Sequence, residues 1–455
     1  MSPLNVVNEQ KPRQIAARVL QQRRANGEFT EHLLEQELAN AKLSAPDRGL
    51  CQEIVYGVVR WQATLDWLIA RKTDGREQKS ALQNLLRLGL YQIFWLDRIP
   101  PHAAVHETVE IAKQNGFGPQ AGFVNAILRG CLREFDETKN LLAELKIKNP
   151  AIGLSHPQWL VEKWRKRFGD EKTFQLLEWN NTPPKTFARV NTLKTDAGKL
   201  IEKWREENVD YDFFRSGGLP TAAFLVENES GFLPKAATEN LVFELKSHPP
   251  LNSLQSFRDG WFYIQDPSTL LAVSELNPQS GETILDLCAA PGGKTTFIAQ
   301  LMNNEGKIIA CDVSEERLKL IQENCARLGV TCVETILPSA LDPRPSTFDR
   351  VLIDAPCSNT GVMRRRVDLR WRISPEEISR LQQTQLDLLK LASAKLKVNG
   401  VLIYSTCSLE PEENSEVVKE FLREHNHFKL EKERELPPFA DHVDGAFVAR
   451  MTLET

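Results

Sequence analysis

The sequence predicts an α/β protein with a Rossmann-like, doubly wound and mostly parallel sheet in its C-terminal part, preceded by an all-α domain and a small α+β module. Three observations point there. Apolar residues recur at helical spacing through residues 12–140. Short alternating segments and proline pairs follow. From about residue 260, strand-like runs alternate with helical stretches, the pattern of a parallel sheet with crossover helices. A length of 455 residues allows about three domains, and the composition shifts place them at 1–140, 141–250 and 251–455.

In the first segment the helical spacing is clearest in Ile15-Ala16-Val19-Leu20, Leu33-Leu34-Leu38 and Leu82-Leu85-Leu86. Pro100-Pro101 separates two helices, and Gly116 and Gly118 punctuate the next. In the second, a basic amphipathic stretch from Trp159 to Phe168 precedes the alternating run Thr186–Val190. Proline pairs at 183–184 and 249–250 mark turns. In the third, the strand-like runs are Thr283–Leu287, Lys307–Cys311, Arg350–Ile353 and Val401–Tyr404. Ser314 ahead of Glu315-Glu316 signals a helix start, as does the capping box Ser374-Pro375-Glu376-Glu377.

Composition bounds the function. With 41% hydrophobic and 26% charged residues the chain reads as a soluble globular protein, neither disordered nor fibrous. No apolar run approaches the roughly 18 residues of a membrane span, and the polar stretch Met1–Arg13 does not read as a secretory signal. The eight cysteines include no C-x-x-C pair and read as reduced thiols, so a cytoplasmic protein is expected. Net charge is −4, and residues 251–455 carry 23 Lys+Arg against 30 Asp+Glu. Contact with nucleic acid therefore has to come from local patches.

The segment Leu285–Thr296 ends a strand in small residues and turns through Pro291-Gly292-Gly293 into a helix beginning near Lys294. Cys288, Ala289, Ala290, Pro291, Gly292, Gly293 and Lys294 form a turn that lets a ligand approach backbone and helix-start amides. A triphosphate-binding loop would need glycine where Cys288 stands. The next strand ends in Asp312, placed to accept the two hydroxyls of a ribose. Turn and acid together imply an adenosine-containing cofactor without a triphosphate.

Two further strands end in cysteines, Asp354-Ala355-Pro356-Cys357 and Thr406-Cys407-Ser408. A buried cysteine is usually a small hydrophobe, but two beyond strands of one sheet, beside a cofactor turn, suggest nucleophilic chemistry. C5 of cytosine accepts a methyl group once a thiolate has added at C6, and a carboxyl group near N3 helps that addition. Asp354, Cys357 and Cys407 supply those groups, with either thiol able to be the nucleophile. The run Arg364, Arg365, Arg366, Arg370 and Arg372 around Trp371 offers phosphate contacts and a stacking partner for RNA, with Lys163, Arg165, Lys166 and Arg167 as a weaker patch. His102 and His106 have i, i+4 spacing without the glutamate of a zinc motif or a third ligand, so no metal site is expected.

These motifs resemble the bacterial 16S ribosomal RNA cytosine-C5 methyltransferases of the Sun/Fmu type over nearly the whole chain. The family's cofactor loop matches Cys288–Lys294, its ribose contact Asp312, and its Asp-Ala-Pro-Cys-Ser and Thr-Cys-Ser segments residues 354–358 and 406–408. Glu412-Glu413-Asn414 also follows its pattern. Asp47-Arg48, Tyr56–Trp61 and Val124–Arg129 look like a NusB-type RNA-binding domain, and Arg189–Thr192 resembles the family's pre-catalytic module. The resemblance implies S-adenosylmethionine as cofactor, 16S ribosomal RNA as partner, Cys407 as nucleophile and Cys357 in product release; a monomer is expected. It departs where the family has an adenine-side Asp near the end of the third strand, for which Glu334 is the candidate, and at Arg366-Val367, where the family tends to have His or Asn before Pro. A DNA cytosine-C5 methyltransferase would use the Pro-Cys cysteine alone. A non-catalytic RNA-binding assembly factor would need a lost thiol or a broken turn.

Overall fold

The structure, a computed structural model, describes residues 11–26, 28–214, 242–341 and 348–454. It divides into two compact units, residues 1–182 with 363–372, and residues 183–362 with 373–455.

The first unit is helical. Its helices include Pro12–Asn26, Thr30–Ala39, Ala45–Arg60, Gln62–Lys72, Ser80–Trp95, Pro101–Ala112 and Ala121–Arg133. Pro101 begins its helix, where a missing N–H costs nothing. Helix Gln158–Phe168 turns Leu160, Val161 and Trp164 inward, as its amphipathic spacing requires. It and Asp170–Asn181 belong to this unit, so the helical part extends past residue 140 to Thr182.

The second unit contains two sheets. Strands β1 (Thr186–Val190), β2 (Asp210–Phe213), β3 (Val242–Ser247) and β4 (Phe262–Ile264) form an antiparallel sheet in the order β2-β3-β1-β4. Trp204 fills its core, edge-on to Phe243 and Phe262 at 5.3 Å each. The alternation read in Thr186–Val190 does not put a polar face in water, because Arg189 is also buried. Its guanidinium lies 4.7 Å from the Phe297 ring centroid and donates to Thr296 Oγ1 (3.2 Å). That ties this sheet to the helix that follows the glycine turn.

The larger sheet comprises β5 (Thr283–Leu287), β6 (Lys307–Cys311), β7 (Val333–Ile336), β8 (Phe348–Asp354), β9 (Leu396–Thr406), β10 (Phe428–Leu436) and β11 (Ala446–Leu453). Its order is β10-β11-β9-β8-β5-β6-β7, parallel from β9 through β7 and antiparallel at β10 and β11. Alternate residues of each central strand enter two apolar layers. Ile284, Ile308 and Leu352 face one, and Leu285, Ile309 and Val351 the other. Both faces are thus covered, as a doubly wound sheet demands. The caps at Ser314 and Ser374 form, each hydroxyl accepting from an amide three residues on, Arg317 N and Glu377 N. Parallel strands leave all their carboxyl ends on one edge, where ligands of such folds bind.

Candidate active site

The glycine turn forms where β5 ends. Gly292 has φ +99°, and a Cβ there would lie 3.3 Å from the Ile321 backbone, so both conformation and space call for glycine. Helix Gly293–Leu301 starts at once. Asp312, at the end of β6, is buried and accepts from Ala290 N and Val313 N at 2.8 Å each. Arg317 Nε also donates to it at 2.5 Å.

Asp286, inside β5, is fully buried. Thr295 Oγ1 donates to its Oδ2 at 2.6 Å, while Oδ1 has no partner among the described residues. Burial pushes this carboxyl up to about 7 against the opposing Thr295 bond, and the charge of Asp354 adds to the rise. Lys294 Nζ lies 2.6 Å from Asp354 Oδ2. Burial works against that ammonium, but the Asp354 charge and hydrogen bond outweigh it, and Lys294 holds its proton more tightly than an ordinary lysine.

The register Asp354↔Ser405 between β8 and β9 brings the two cysteine loops side by side. Cys357 Sγ and Cys407 Sγ are 3.4 Å apart. Cys407 Sγ–H donates to Asn359 Oδ1 (3.0 Å), and Asn359 Nδ2 donates to Cys357 O (2.6 Å). Asn359 adopts φ +58°, a conformation asparagine tolerates better than most residues. Its amide is therefore oriented with oxygen towards the thiol. The loops nearly touch, since a Cβ on Gly361 would stand 2.7 Å from Cys407 O. The hydrogen bond with Cys407, then burial, hold the Cys357 thiol well above the ordinary cysteine value. Cys357 is thus a protonated thiol.

The turn Cys288–Lys294 and the residues Asp312, Asp354, Cys357 and Cys407 all belong to the second unit, at or beyond the carboxyl ends of parallel strands. The arginine run does not join them. Residues 363–372 belong to the helical unit. Arg370 is 0% exposed, and its terminal nitrogens donate to Arg60 O, Ser155 O, Asn181 Oδ1 and Asn180 O at 2.9–3.3 Å. Burial, with Arg60 nearby, lowers it to about 9. Arg364 is 2% exposed, its guanidinium 4.1 Å from the Trp179 ring centroid. The RNA role read for these two is corrected: they are internal cross-links. Trp371 is half-buried and gives its Nε1–H to Val59 O (2.8 Å). Arg372 donates to Glu28 O and lies over the Phe29 ring, and Arg365 is half-buried with a partner. Of the six residues, Arg366 is exposed.

Glu334 is also corrected. It lies within β7, and its carboxylate pairs with Lys307 (2.7 Å), the first residue of β6, away from the edge that carries Asp312. The described residues contain no cluster of three or more metal-ligating side chains and no helix long and apolar enough to cross a membrane. His102 and His106 are exposed. Sequence reading gave no role to Asn359 or Asp286, and noted the buried Glu413 only as part of a family pattern. The serine after each cysteine was the available hint to Glu413, because both serines bond to it.

Comparison with known proteins agrees with this architecture. The family described as 16S rRNA methyltransferase RsmB/F matches residues 273–451, the NusB family residues 10–133, and a ferredoxin-like domain of RsmF/B-like methyltransferases residues 156–227. The chain is 35% identical over 435 residues to the probable ribosomal RNA small subunit methyltransferase B of Bacillus subtilis, covering 93% of this chain and 91% of that protein. It is 34% identical over 454 residues to ribosomal RNA small subunit methyltransferase B of Escherichia coli, covering 96% and 98%. Among solved structures, PH0851 aligns with a TM-score of 0.76 at 25% identity, over 98% of this chain and 100% of that one. NSun6 from Pyrococcus horikoshii with SFG aligns at 0.54 and 26%, over 66% and 98%. With relatives at this identity spanning almost its full length, the chain belongs to the RsmB/F family of 16S rRNA methyltransferases.

Proposed function

We propose that this chain transfers a methyl group from S-adenosylmethionine to C5 of a cytosine in 16S rRNA, with Cys407 as the nucleophile at C6. The observation that carries the reading is the pair of thiols 3.4 Å apart beyond neighbouring parallel strands, on the sheet edge that also holds the glycine turn.

The residues present fit the cofactor. Before Lys294 the turn has only small side chains and proline, so a ligand can lie against its backbone. Asp312 offers two oxygens at the position that takes ribose hydroxyls in such sheets, provided Arg317 shares or yields them. Asp286 Oδ1 adds a buried polar atom without a partner among the described residues. When bound, the cofactor supplies an electrophilic methyl group.

The chain's own residues do the rest. Cys407 gives up to water the proton it points at Asn359 Oδ1, and its sulfur adds to C6, which makes C5 an enamine carbon. The Lys294–Asp354 pair presents an ammonium and a carboxyl group to the pyrimidine, and a proton shared with N3 draws electron density from the ring. After C5 has gained the methyl group and lost its proton to water, the C6–S bond breaks and its electrons return to Cys407. The protonated Cys357 thiol, 3.4 Å away, hands that sulfur a proton and regains one from water. Exposed Arg366, exposed Arg165 and Lys166 on helix Gln158–Phe168, and the NusB-family helices are the RNA-holding surfaces of this reading.

The test incubates the full chain with 16S rRNA from a strain lacking it and methyl-labelled S-adenosylmethionine. Label recovered as 5-methylcytidine supports the reading, with bisulfite sequencing locating the base. Label in another nucleoside, or transfer to DNA in preference to rRNA, overturns it.

A further inference from the structure

Behind the two cysteine loops lies a carboxylate that the mechanism above does not use. Glu413 is 0% exposed. Its Oε1 accepts from Ser358 N (2.8 Å) and Gln385 Nε2 (3.2 Å). Its Oε2 accepts from the Ser358 hydroxyl and from Ser408 Oγ (2.5 Å). Ser358 follows Cys357 and Ser408 follows Cys407, so one carboxylate grips the residue after each sulfur.

The grip is anchored from β9 as well. Tyr404 OH donates to Glu413 O (2.6 Å), Thr406 Oγ1 to Asn414 Oδ1 (2.6 Å), and Asn414 Nδ2 to Ser408 O (2.9 Å). A buried carboxylate is costly unless its lone pairs are occupied, and this one has four donors. Burial raises its proton affinity above that of an ordinary glutamate, and the hydrogen bonds from Ser358, Ser408 and Gln385 oppose that rise. An acceptor-only group suits the place. A glutamine of the same shape would turn a donor towards either the Ser358 amide or the serine hydroxyls.

We propose that Glu413 is a positioning residue that sets the separation of the Cys357 and Cys407 sulfurs through Ser358 and Ser408. The proposal rests on the cysteine roles given under Proposed function. It adds that the product-release step, the one step needing both sulfurs close together, depends on a residue that touches neither substrate nor cofactor. Of the two sulfurs, addition and methyl transfer need only that of Cys407 and tolerate a small shift. Proton transfer between the sulfurs does not, because displacements near 1 Å can cost about 100-fold.

The experiment compares the full chain with Glu413→Gln, Cys357→Ala and the double variant, using unmethylated 16S rRNA and labelled S-adenosylmethionine. It reads first-turnover methyl transfer, steady-state turnover, and the protein–RNA adduct on a denaturing gel. Glu413→Gln is expected to change the first turnover by less than about 3-fold, to lower steady-state turnover by about 10-fold or more, and to accumulate adduct. The double variant is expected to release no more slowly than Cys357→Ala, since both changes act on one step. A merely structural role would lower both rates in parallel without adduct, or add to the Cys357→Ala defect, and either result overturns the proposal. If Glu413→Gln does not fold, Ser408→Ala, which removes one arm of the grip, is expected to show the same split in weaker form, and a parallel loss there refutes it. Adduct with Cys357→Ala but not with Glu413→Gln defeats the Glu413 role alone. No adduct with Cys357→Ala defeats the cysteine roles and this proposal with them.

Discussion

Residues 354–359 and 364–372 are close in the chain and equally rich in polar groups, yet they use them in opposite ways. In the first stretch the reactive atoms face one another, with Asp354 on Lys294, Cys357 on Cys407, and Asn359 on Cys407. In the second, Arg370 spends its terminal nitrogens on four carbonyl oxygens of its own unit. The first arrangement sets ionisable and nucleophilic side chains against one another at strand ends. The second fastens helix ends together. What distinguishes a site from a cross-link here is the identity of the partner atoms, not the density of charge.

The comparison breaks most visibly if Arg370 is removed. Arg370→Ala leaves its carbonyl partners buried and unpaired and is expected to destabilise the helical unit by about 3 kcal/mol or more, read as a lower melting temperature of the full chain. A melting temperature equal to the parent's would mean the cross-link is idle.

Asp286 differs again, since its Oδ1 has no partner among the described residues. Its folded value of about 7 lies above that of an unfolded aspartate, so the folded protein keeps a proton that the unfolded chain releases. That contribution is whole below about pH 4 and fades as pH rises through about 7. The stability of the parent relative to Asp286→Asn should therefore fall across that window. A difference independent of pH would contradict the assignment.

The smallest structural effect belongs to Arg366. Arg366→Ala should leave stability within about 0.5 kcal/mol while lowering the salt dependence of RNA binding by about one counterion. An unchanged salt slope would remove Arg366 from the RNA surface.

The central strands were legible because a strand buried on both faces reads as an apolar run whatever surrounds it, as Thr283–Leu287 and Lys307–Cys311 do. Once those strands are parallel, motifs at their ends converge by register alone, which is why Asp312, Asp354, Cys357 and Cys407 could be read as a group. The edge strand β10, Phe428–Leu436, was hidden by its charge. Its sequence FKLEKEREL carries the lysines and glutamates that protect a sheet edge from further pairing. The arginine run misled because charge has no register: the carbonyls of residues 60, 155 and 180 bind Arg370 only after folding. The contacts of Glu413, which the family pattern had marked, were hidden for the same reason, its donors coming from positions 358, 385 and 408.

In the proposed function two neighbouring thiols divide one reaction, Cys407 attacking and Cys357 releasing. The most direct test runs Cys407→Ala and Cys357→Ala on a denaturing gel after incubation with unmethylated 16S rRNA and S-adenosylmethionine. Neither adduct nor methyl transfer is expected from Cys407→Ala, and from Cys357→Ala a methylated RNA that stays bound to the protein. Adduct accumulating with Cys407→Ala and never with Cys357→Ala would contradict it and assign the attack to Cys357.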